Sequence, residues 1–248
     1  MSRRLFEQWL ARLQEDVLTL GALAEDAIGQ SVKLLQERDF EGARELIQQD
    51  RELDARRYVI EADGLSLIAT QQPLARDMRS IAAAIFIANE LERIGDYAKG
   101  IARVNLRIGD EPLLKPLVDI PVMAAAAQKM LQRSLQSYVA CDETLARAVI
   151  PEDDGVDALY NQVYTDLMTC VSQTPGSQTP GSQPRGSQTP GSQTPGSQTR
   201  VMQTPANIRQ ANLLLMAAHN LERTADRATN ICERVIFVVT GELQDQVT

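Results

Sequence analysis

Four pairs of acidic residues, all with the same spacing, are the side chains of this sequence best suited to chemistry. The pairs are Asp50 and Asp54, Glu92 and Asp96, Asp153 and Asp157, and Glu222 and Asp226. Residues four apart lie on one face of an α-helix, so each pair would hold two carboxylates side by side. Such like charges are mildly destabilising unless a positive group lies close to them.

A metal ion is one positive group that these pairs would suit. Carboxylate oxygens are ligands for hard or borderline cations such as Mg²⁺, Mn²⁺ or iron, and helical bundles build di-metal sites from facing carboxylates. Two plainer interpretations stay open, a solvated helix face and simple ion pairs. Asp153, two residues after Pro151, could also complement the dipole at a helix start. The arginines considered for the ion pairs are Arg79, Arg93, Arg209 and Arg223.

The only histidine, His219, lies three residues before Glu222 and therefore on roughly the same side of a helix. We expect it to be a hydrogen-bonding residue rather than a metal ligand. The sequence contains no glycine-rich phosphate loop, no HExxH motif and no His/Cys cluster of the zinc type. These observations predict a protein that is not an enzyme.

The acidic pairs belong to an internal repeat. The frame L-E-R-x-x-D-x-A-x-x-I occurs at 91–101 and again at 221–231, an offset of 130 residues. Residues 39–54 align without gaps on 142–157, an offset of 103, with Asp, Ala, Arg, Ile, Asp and Asp identical. The difference of 27 residues is explained by SQTPG units at about 172–199. That segment is polar and rich in proline and glycine, which predicts a flexible loop.

Apolar residues spaced alternately three and four apart predict the helices that position the acids. One seam occupies the first helix, a second runs from about Arg79 to Arg107, and a third repeats the second; another helix is expected from Asp50 to near Pro73. The seams comprise Phe6, Leu10, Leu13, Val17, Leu20, Ala24, Ala27, Ser31 and Leu34; Ile81, Ala84, Ala88, Leu91, Gly95, Ala98 and Ala102; and Ala211, Leu214, Ala218, Leu221, Ala225, Ala228 and Cys232.

These patterns predict an all-α fold of two tandem three-helix bundles, related by the internal repeat and built from elongated antiparallel helices. The first bundle would span 1–110 and the second 111–248, with the SQTPG loop inside the second. The net charge of −8 and the pI of about 4.8 argue against a general nucleic-acid binder. Three widely spaced cysteines and the lack of a long apolar run favour a cytoplasmic protein without a membrane span.

Several of these motifs, taken in order, resemble the PhoU family. They are the acidic pairs, the repeated L-E-R-x-x-D-x-A-x-x-I frame, QPLARDMR at 72–79 and CERVIFVVTGE at 232–242. The resemblance implies a cytoplasmic negative regulator of phosphate uptake and phosphate-starvation signalling. It also implies docking to the phosphate ABC transporter and to a sensor histidine kinase, and a homodimer. It further implies metal (iron, zinc, manganese or magnesium) bound at all eight carboxylates.

Two rival functions and two departures from the family pattern accompany this resemblance. The rivals are a carboxylate-bridged metal-storage or di-metal oxidase bundle and a helical scaffold without metal. An oxidase would have Glu-x-x-His spacing, whereas His219 precedes Glu222 here. Gly100 stands where the second half has Asn230, so polar support from that position would be missing in the first half. The SQTPG loop could also crowd a partner surface.

Overall fold

The computed structural model describes residues 3–173 and 205–242, and these residues form helices and short links. No described residue lies in a β-strand, which confirms the predicted all-α class. A 3₁₀ turn at Ile150–Glu152 separates the fifth and sixth helices. The helices are α1 Arg3–Glu37, α2 Phe40–Gln71, α3 Ala75–Ile108, α4 Asp119–Ala140, α5 Glu143–Val149, α6 Asp153–Gln173 and α7 Pro205–Thr240.

The helices form the two predicted three-helix bundles. Helices α1, α2 and α3 pack against one another in the first bundle, and α4, the α5–α6 pair and α7 do so in the second. The bundles meet where α3 packs on α7 and α1 packs on α4. Helices α2 and α6 therefore flank a central group made of the other four long helices. Within the described residues, no helix combines the length and the apolar character needed to cross a membrane.

The repeat is visible where each bundle turns into its second helix. Asp39 caps α2 by accepting a hydrogen bond from the Gly42 amide (2.9 Å), and Asp142 caps α5 through the Leu145 amide (3.0 Å). The residue before each cap has a left-handed backbone, with φ of 59° at Arg38 and 49° at Cys141. Two connections 103 residues apart thus share one conformation.

The two halves differ in the second helix. In the first bundle α2 is continuous from Phe40, ten residues before the predicted start at Asp50, because the Asp39 cap begins the helix there. In the second bundle Pro151 lies in a 3₁₀ turn that breaks the equivalent path into α5 and α6. The third helix begins at Ala75, four residues earlier than predicted, just after Pro73.

One continuous apolar core runs through both bundles. The small-residue seams of α3 and α7 are buried as predicted, which lets these two helices approach closely where the bundles meet. The link between the bundles, residues 109–118, is fixed by the buried side chain of Gln210, whose amide donates to the Pro112 carbonyl at 2.8 Å. The predicted boundary at 110 falls in this link, and the division into two domains stays a prediction. The predicted SQTPG loop lies outside the described residues from position 174 onward, and its first two positions, 172 and 173, are the end of α6.

Candidate functional site

The first carboxylate cluster is formed by Asp50 and Asp54 on α2 and by Glu92 and Asp96 on α3. Lys99, one turn after Asp96, joins the two helices: its Nζ contacts Oδ2 of Asp50 and lies 3.1 Å from Oδ1 of Asp96. Asp50 is only 8% exposed. The hydrogen bond that Lys99 donates to Asp50 is the main cause that raises the pKa of Lys99; burial opposes the shift, and the hydrogen bond donated to Asp96 adds to it, so the ammonium form is favoured at this place.

Glu92 lies beside the other carboxylates of this cluster. Burial raises its pKa, and the charges of Asp96 and Asp54 raise it further, while the guanidinium of Arg57 opposes the shift. Arg57 is itself held by Glu61 at 2.7 Å. The four predicted carboxylates of the first half are therefore brought together, with two cationic side chains among them.

The second carboxylate cluster is formed by Asp153 and Asp157 on α6 and by Glu222 and Asp226 on α7. Burial raises the pKa of Asp153 to about 6, with further increases from Asp226, Asp157 and Glu222. The pKa of Asp157 is also raised, again by burial first and then by Glu222 and Asp226. The carboxylates predicted for the second half therefore lie near enough to one another to raise the pKa values of Asp153 and Asp157.

The two clusters differ in the positive charge near them. By the offset of 130, Lys99 corresponds to Thr229; by the offset of 103, Arg57 corresponds to Tyr160. The buried Oδ1 of Asp153 and Oγ1 of Thr229 have no hydrogen-bond partner. Among the groups that shift the pKa values of Asp153 and Asp157, none is a cation. The second cluster thus has carboxylates and an unpaired hydroxyl where the first has an ammonium group.

His219 borders the second cluster as a hydrogen-bonding residue. Its Nδ1 lies 2.7 Å from Oε2 of Glu222, and its ring lies 6.2 Å from that of Tyr160. The His219 side chain is 55% exposed. These contacts agree with the hydrogen-bonding role expected from the sequence.

The four arginines considered as partners for the acids have contacts elsewhere. Arg93 is paired with Glu90 at 3.7 Å, and the guanidinium of Arg223 lies 4.6 Å from the centre of the Tyr97 ring. Arg79 donates to the Val238 carbonyl, and Arg209 donates to that of Arg107. The sequence interpretation therefore missed Lys99 and Arg57. The sequence did contain a signal for them, because Lys99 lies three residues after Asp96 and Arg57 lies three residues after Asp54.

A second polar group that the sequence interpretation missed lies where the bundles meet. Glu90, 4% exposed on α3, accepts hydrogen bonds from Arg227 (3.0 Å) and Asn230 (2.9 Å) on α7. Asn230 therefore supports the bundle interface through Glu90.

Gly100 leaves room for Asn220, whose Nδ2 would lie 2.6 Å from an added Cβ. The departure of Gly100 from the family pattern accommodates close packing.

The fit of a metal ion differs between the clusters. In residues 3–173 and 205–242, no three His, Cys, Asp or Glu side chains stand close enough to hold one ion between them. The second cluster nevertheless offers a suitable donor set, with four carboxylates and a buried, unpartnered oxygen of Asp153. A cation bound there would replace the repulsion between these carboxylates by attraction. In the first cluster Lys99 already supplies that positive charge.

Comparison with known proteins extends over most of the chain. Residues 17–104, 120–184 and 196–235 match the family model of the PhoU domain. A phosphate-specific transport system accessory protein PhoU homolog of Clostridium acetobutylicum is 29% identical over 99% of this chain and 99% of its own length. The homolog of Synechocystis is 31% identical over 97% and 93%, and that of Aquifex aeolicus is 36% identical over 69% and 77%.

Solved structures share the fold. PhoU from Pseudomonas aeruginosa superposes with a TM-score of 0.78 at 26% identity, covering 96% of this chain and 100% of that protein. The phosphate transport system regulatory protein PhoU from Streptococcus pneumoniae also reaches 0.78, at 23% identity over 97% and 99%. The arrangement of two bundles is therefore shared along the whole length of these proteins.

Proposed function

Because this chain belongs to the PhoU family, we propose that it is a negative regulator of phosphate uptake and of phosphate-starvation signalling. It acts at the cytoplasmic face of the membrane by docking to the phosphate ABC transporter and to its sensor histidine kinase. The observation that carries this proposal is the match to proteins named phosphate-specific transport system accessory protein along nearly the entire chain. The homodimer is part of the proposal and is checked by light scattering.

The fold supports docking as the mode of action. Helices α2 and α6 flank the central group of four long helices, so their outer faces are surfaces available to a partner. Apolar side chains are exposed on these outer helices, including Tyr58 at 62%, Leu65 at 54% and Tyr164 at 49%. Aromatic residues of this kind are enriched in protein interfaces.

A metal ion at the second carboxylate cluster has a structural role in this proposal. Bound between α6 and α7, the ion would neutralise the carboxylates and hold the spacing of these two helices. Asp153 and Asp157 would contribute oxygens from α6, and Glu222 and Asp226 from α7. Metal at Asp50, Asp54, Glu92 and Asp96 stays a prediction, against which the contacts of Lys99 weigh.

Gene deletion and complementation test the regulatory role. In a strain of the source organism without this gene, a phosphate-starvation reporter is expected to be active even in phosphate-rich medium. The wild-type chain should restore repression and should co-purify with the transporter or the kinase. Normal repression in the deletion strain would contradict the proposal.

Elemental mass spectrometry of the purified protein, before and after chelator, tests the metal. We expect metal in the wild-type protein, a lower melting temperature after chelation, and loss of metal from the Glu222→Gln/Asp226→Asn variant. The matched control is Glu41→Gln/Glu45→Gln, a pair of acids with the same spacing on α2 outside the clusters. Metal-free wild-type protein that is indifferent to chelator would support the metal-free scaffold.

The di-metal oxidase is separated from the regulator by its chemistry. An oxidase would consume oxygen catalytically when supplied with Fe²⁺. The contact of His219 with Glu222 comes from the H-x-x-E order, which differs from the Glu-x-x-His motif of bundle oxidases. We therefore expect no sustained oxygen consumption with Fe²⁺, and a catalytic rate would favour the rival.

A further inference from the structure

Lys99 is placed in the first carboxylate cluster like a bound cation. It extends from α3 to the facing helix α2 and contacts a carboxylate on each: Asp50, and Asp96 at 3.1 Å. Its side chain is only 20% exposed and that of Asp50 only 9%. Removing one partner from a charge pair so poorly exposed to water is more destabilising than removing one partner from a pair on the open surface.

The repeat provides an internal comparison for this position. The two halves place their carboxylates at equivalent positions, but Thr229 stands in the second half where Lys99 stands in the first. The Thr229 hydroxyl is buried without a hydrogen-bond partner, and so is Oδ1 of Asp153, which belongs to the second cluster. The presence of the ammonium group therefore distinguishes two clusters that are otherwise alike in their acids.

A metal ion entering the first cluster would compete directly with Lys99. The ion would need the oxygens of Asp50 and Asp96 that the ammonium group contacts, and Lys99 would have to move into water or lie beside the ion. Repulsion between the ammonium group and a divalent cation opposes the second arrangement. If Lys99 moved into water and no ion took its place, the poorly exposed carboxylate of Asp50 would be left without a positive partner, which is also unfavourable.

We propose that Lys99 is a built-in cation of the first carboxylate cluster and that it excludes a metal ion from this cluster. The proposal rests on the proposed function only in treating the carboxylate clusters as sites for cations. It assigns a role to a residue that the acidic motifs do not include. It also predicts that the two halves of the repeat differ in their affinity for metal.

Equilibrium dialysis of the full chain against Mn²⁺ tests the proposal, after removal of metal by chelator. Lys99→Thr copies the residue of the second half and is expected to bind one more Mn²⁺ per chain than the wild type. The added site should disappear in Lys99→Thr/Glu92→Gln/Asp96→Asn. The control Lys33→Thr removes the same charge from an exposed position on α1 and should leave binding unchanged.

Two further measurements keep the test valid if Lys99→Thr folds poorly. Without metal, Lys99→Gln should melt at a lower temperature than the wild type, because Asp50 loses its partner. Mn²⁺ should raise the melting temperature of Lys99→Gln by more than it raises that of Lys33→Thr. The reciprocal change Thr229→Lys should lower binding at the second cluster at least tenfold.

The outcomes separate this proposal from the proposed function. An unchanged number of Mn²⁺ ions in Lys99→Thr, or a wild-type site that Glu92→Gln/Asp96→Asn abolishes, would overturn the role of Lys99. The second of these results would leave metal binding by the regulator intact. Conversely, a site gained in Lys99→Thr together with no site at Glu222 and Asp226 in the wild type would support Lys99 and contradict the metal at the second cluster.

Discussion

Asp153 carries the least favourable charge of the second carboxylate cluster. Burial and the neighbouring carboxylates raise its pKa from 3.8 to about 6. Between these two values the folded chain binds more protons at this group than the unfolded chain does. The contribution of Asp153 to stability is therefore greatest below the unfolded pKa and is lost as the pH rises through about 6.

This sign leads to a prediction for Asp153→Asn. In chelator, the stability of the variant should be close to that of the wild type at about pH 3, below the unfolded pKa of 3.8, where Asp153 is largely neutral in both the folded and the unfolded chain, and should exceed it at pH 7. The gain should be at least the ~0.2–0.5 kcal/mol of one like-charge pair. Urea denaturation at the two pH values measures it, with the exposed Asp110→Asn as control. A difference in stability between Asp153→Asn and the wild type that did not change with pH would contradict the raised pKa of Asp153.

Glu90 shows the opposite situation, because its carboxylate is paired with hydrogen-bond donors, one of them a cation. It lies buried between the bundles and accepts from Arg227 and Asn230. We predict that Glu90→Ala lowers the free energy of unfolding by about 3 kcal/mol, because it leaves the largely buried guanidinium of Arg227 without its buried carboxylate partner. In the exposed pair of Glu52 with Arg56, Glu52→Ala should cost less than about 1 kcal/mol.

Guanidinium chloride or urea denaturation of these two variants, at constant pH, provides the comparison. Similar losses for Glu90→Ala and Glu52→Ala would show that the Glu90 network adds little to the bundle interface.

At the residue scale, spacing in the sequence selected the eight acids, whose role as metal ligands stays a prediction, but it missed Lys99 and Arg57 beside the first cluster. The acids follow from a helical period, which local sequence records directly. Which cation meets which acid depends on side-chain direction across two packed helices, so Lys99 was not separable from the arginines. Glu90 was missed because its partners are 137 and 140 residues away in the chain.

At the scale of the element, the two Asp caps begin helices that stand at equivalent places in the bundles. We predict that Asp39→Ala and Asp142→Ala each reduce stability by about 1 kcal/mol, since each removes an acceptor for a free backbone amide. Asp39→Asn and Asp142→Asn should retain most of the stability that the caps contribute, because the Asn side chain also accepts a hydrogen bond at this position. Thermal unfolding of the four variants tests both caps together.

An Asn variant that loses as much as its Ala counterpart would show that charge, rather than the cap hydrogen bond, is responsible. The helix dipole would then be the better explanation, because a negative charge near a helix start is favourable.

The apolar seams of the helices were predicted correctly because the spacing of apolar residues, with a period of 3.6 residues, can be read from each local stretch of sequence. The start of α2 was placed ten residues late, since the stretch from Phe40 was recognised as a repeat and not as a helix. The same Asp that aligns the repeats, Asp39, is the N-cap that sets this start. The break at Pro151 was visible as a helix start, and the 3₁₀ turn between α5 and α6 agrees with it.

At the scale of the whole molecule, the central question is whether the two bundles behave as separate domains. The sequence divides at the repeat, yet the core is continuous and α3 packs on α7 along small residues. The buried contact of Glu90 with Arg227 also crosses this interface. Separating the halves would expose a long apolar seam to water, which disfavours a stable isolated bundle.

We therefore predict that the chain unfolds in one transition. Trp9 on α1 is the only tryptophan and reports on the first bundle; Tyr164→Trp in a Trp9→Phe background reports on the second. The two fluorescence curves in urea should coincide with each other and with the loss of helix by circular dichroism. Leu91→Ala, at a fully buried site of the first bundle, should shift both reporters by the same ~2–5 kcal/mol. If Leu91→Ala moved only the Trp9 curve, the halves would be independent domains in spite of the continuous core between them.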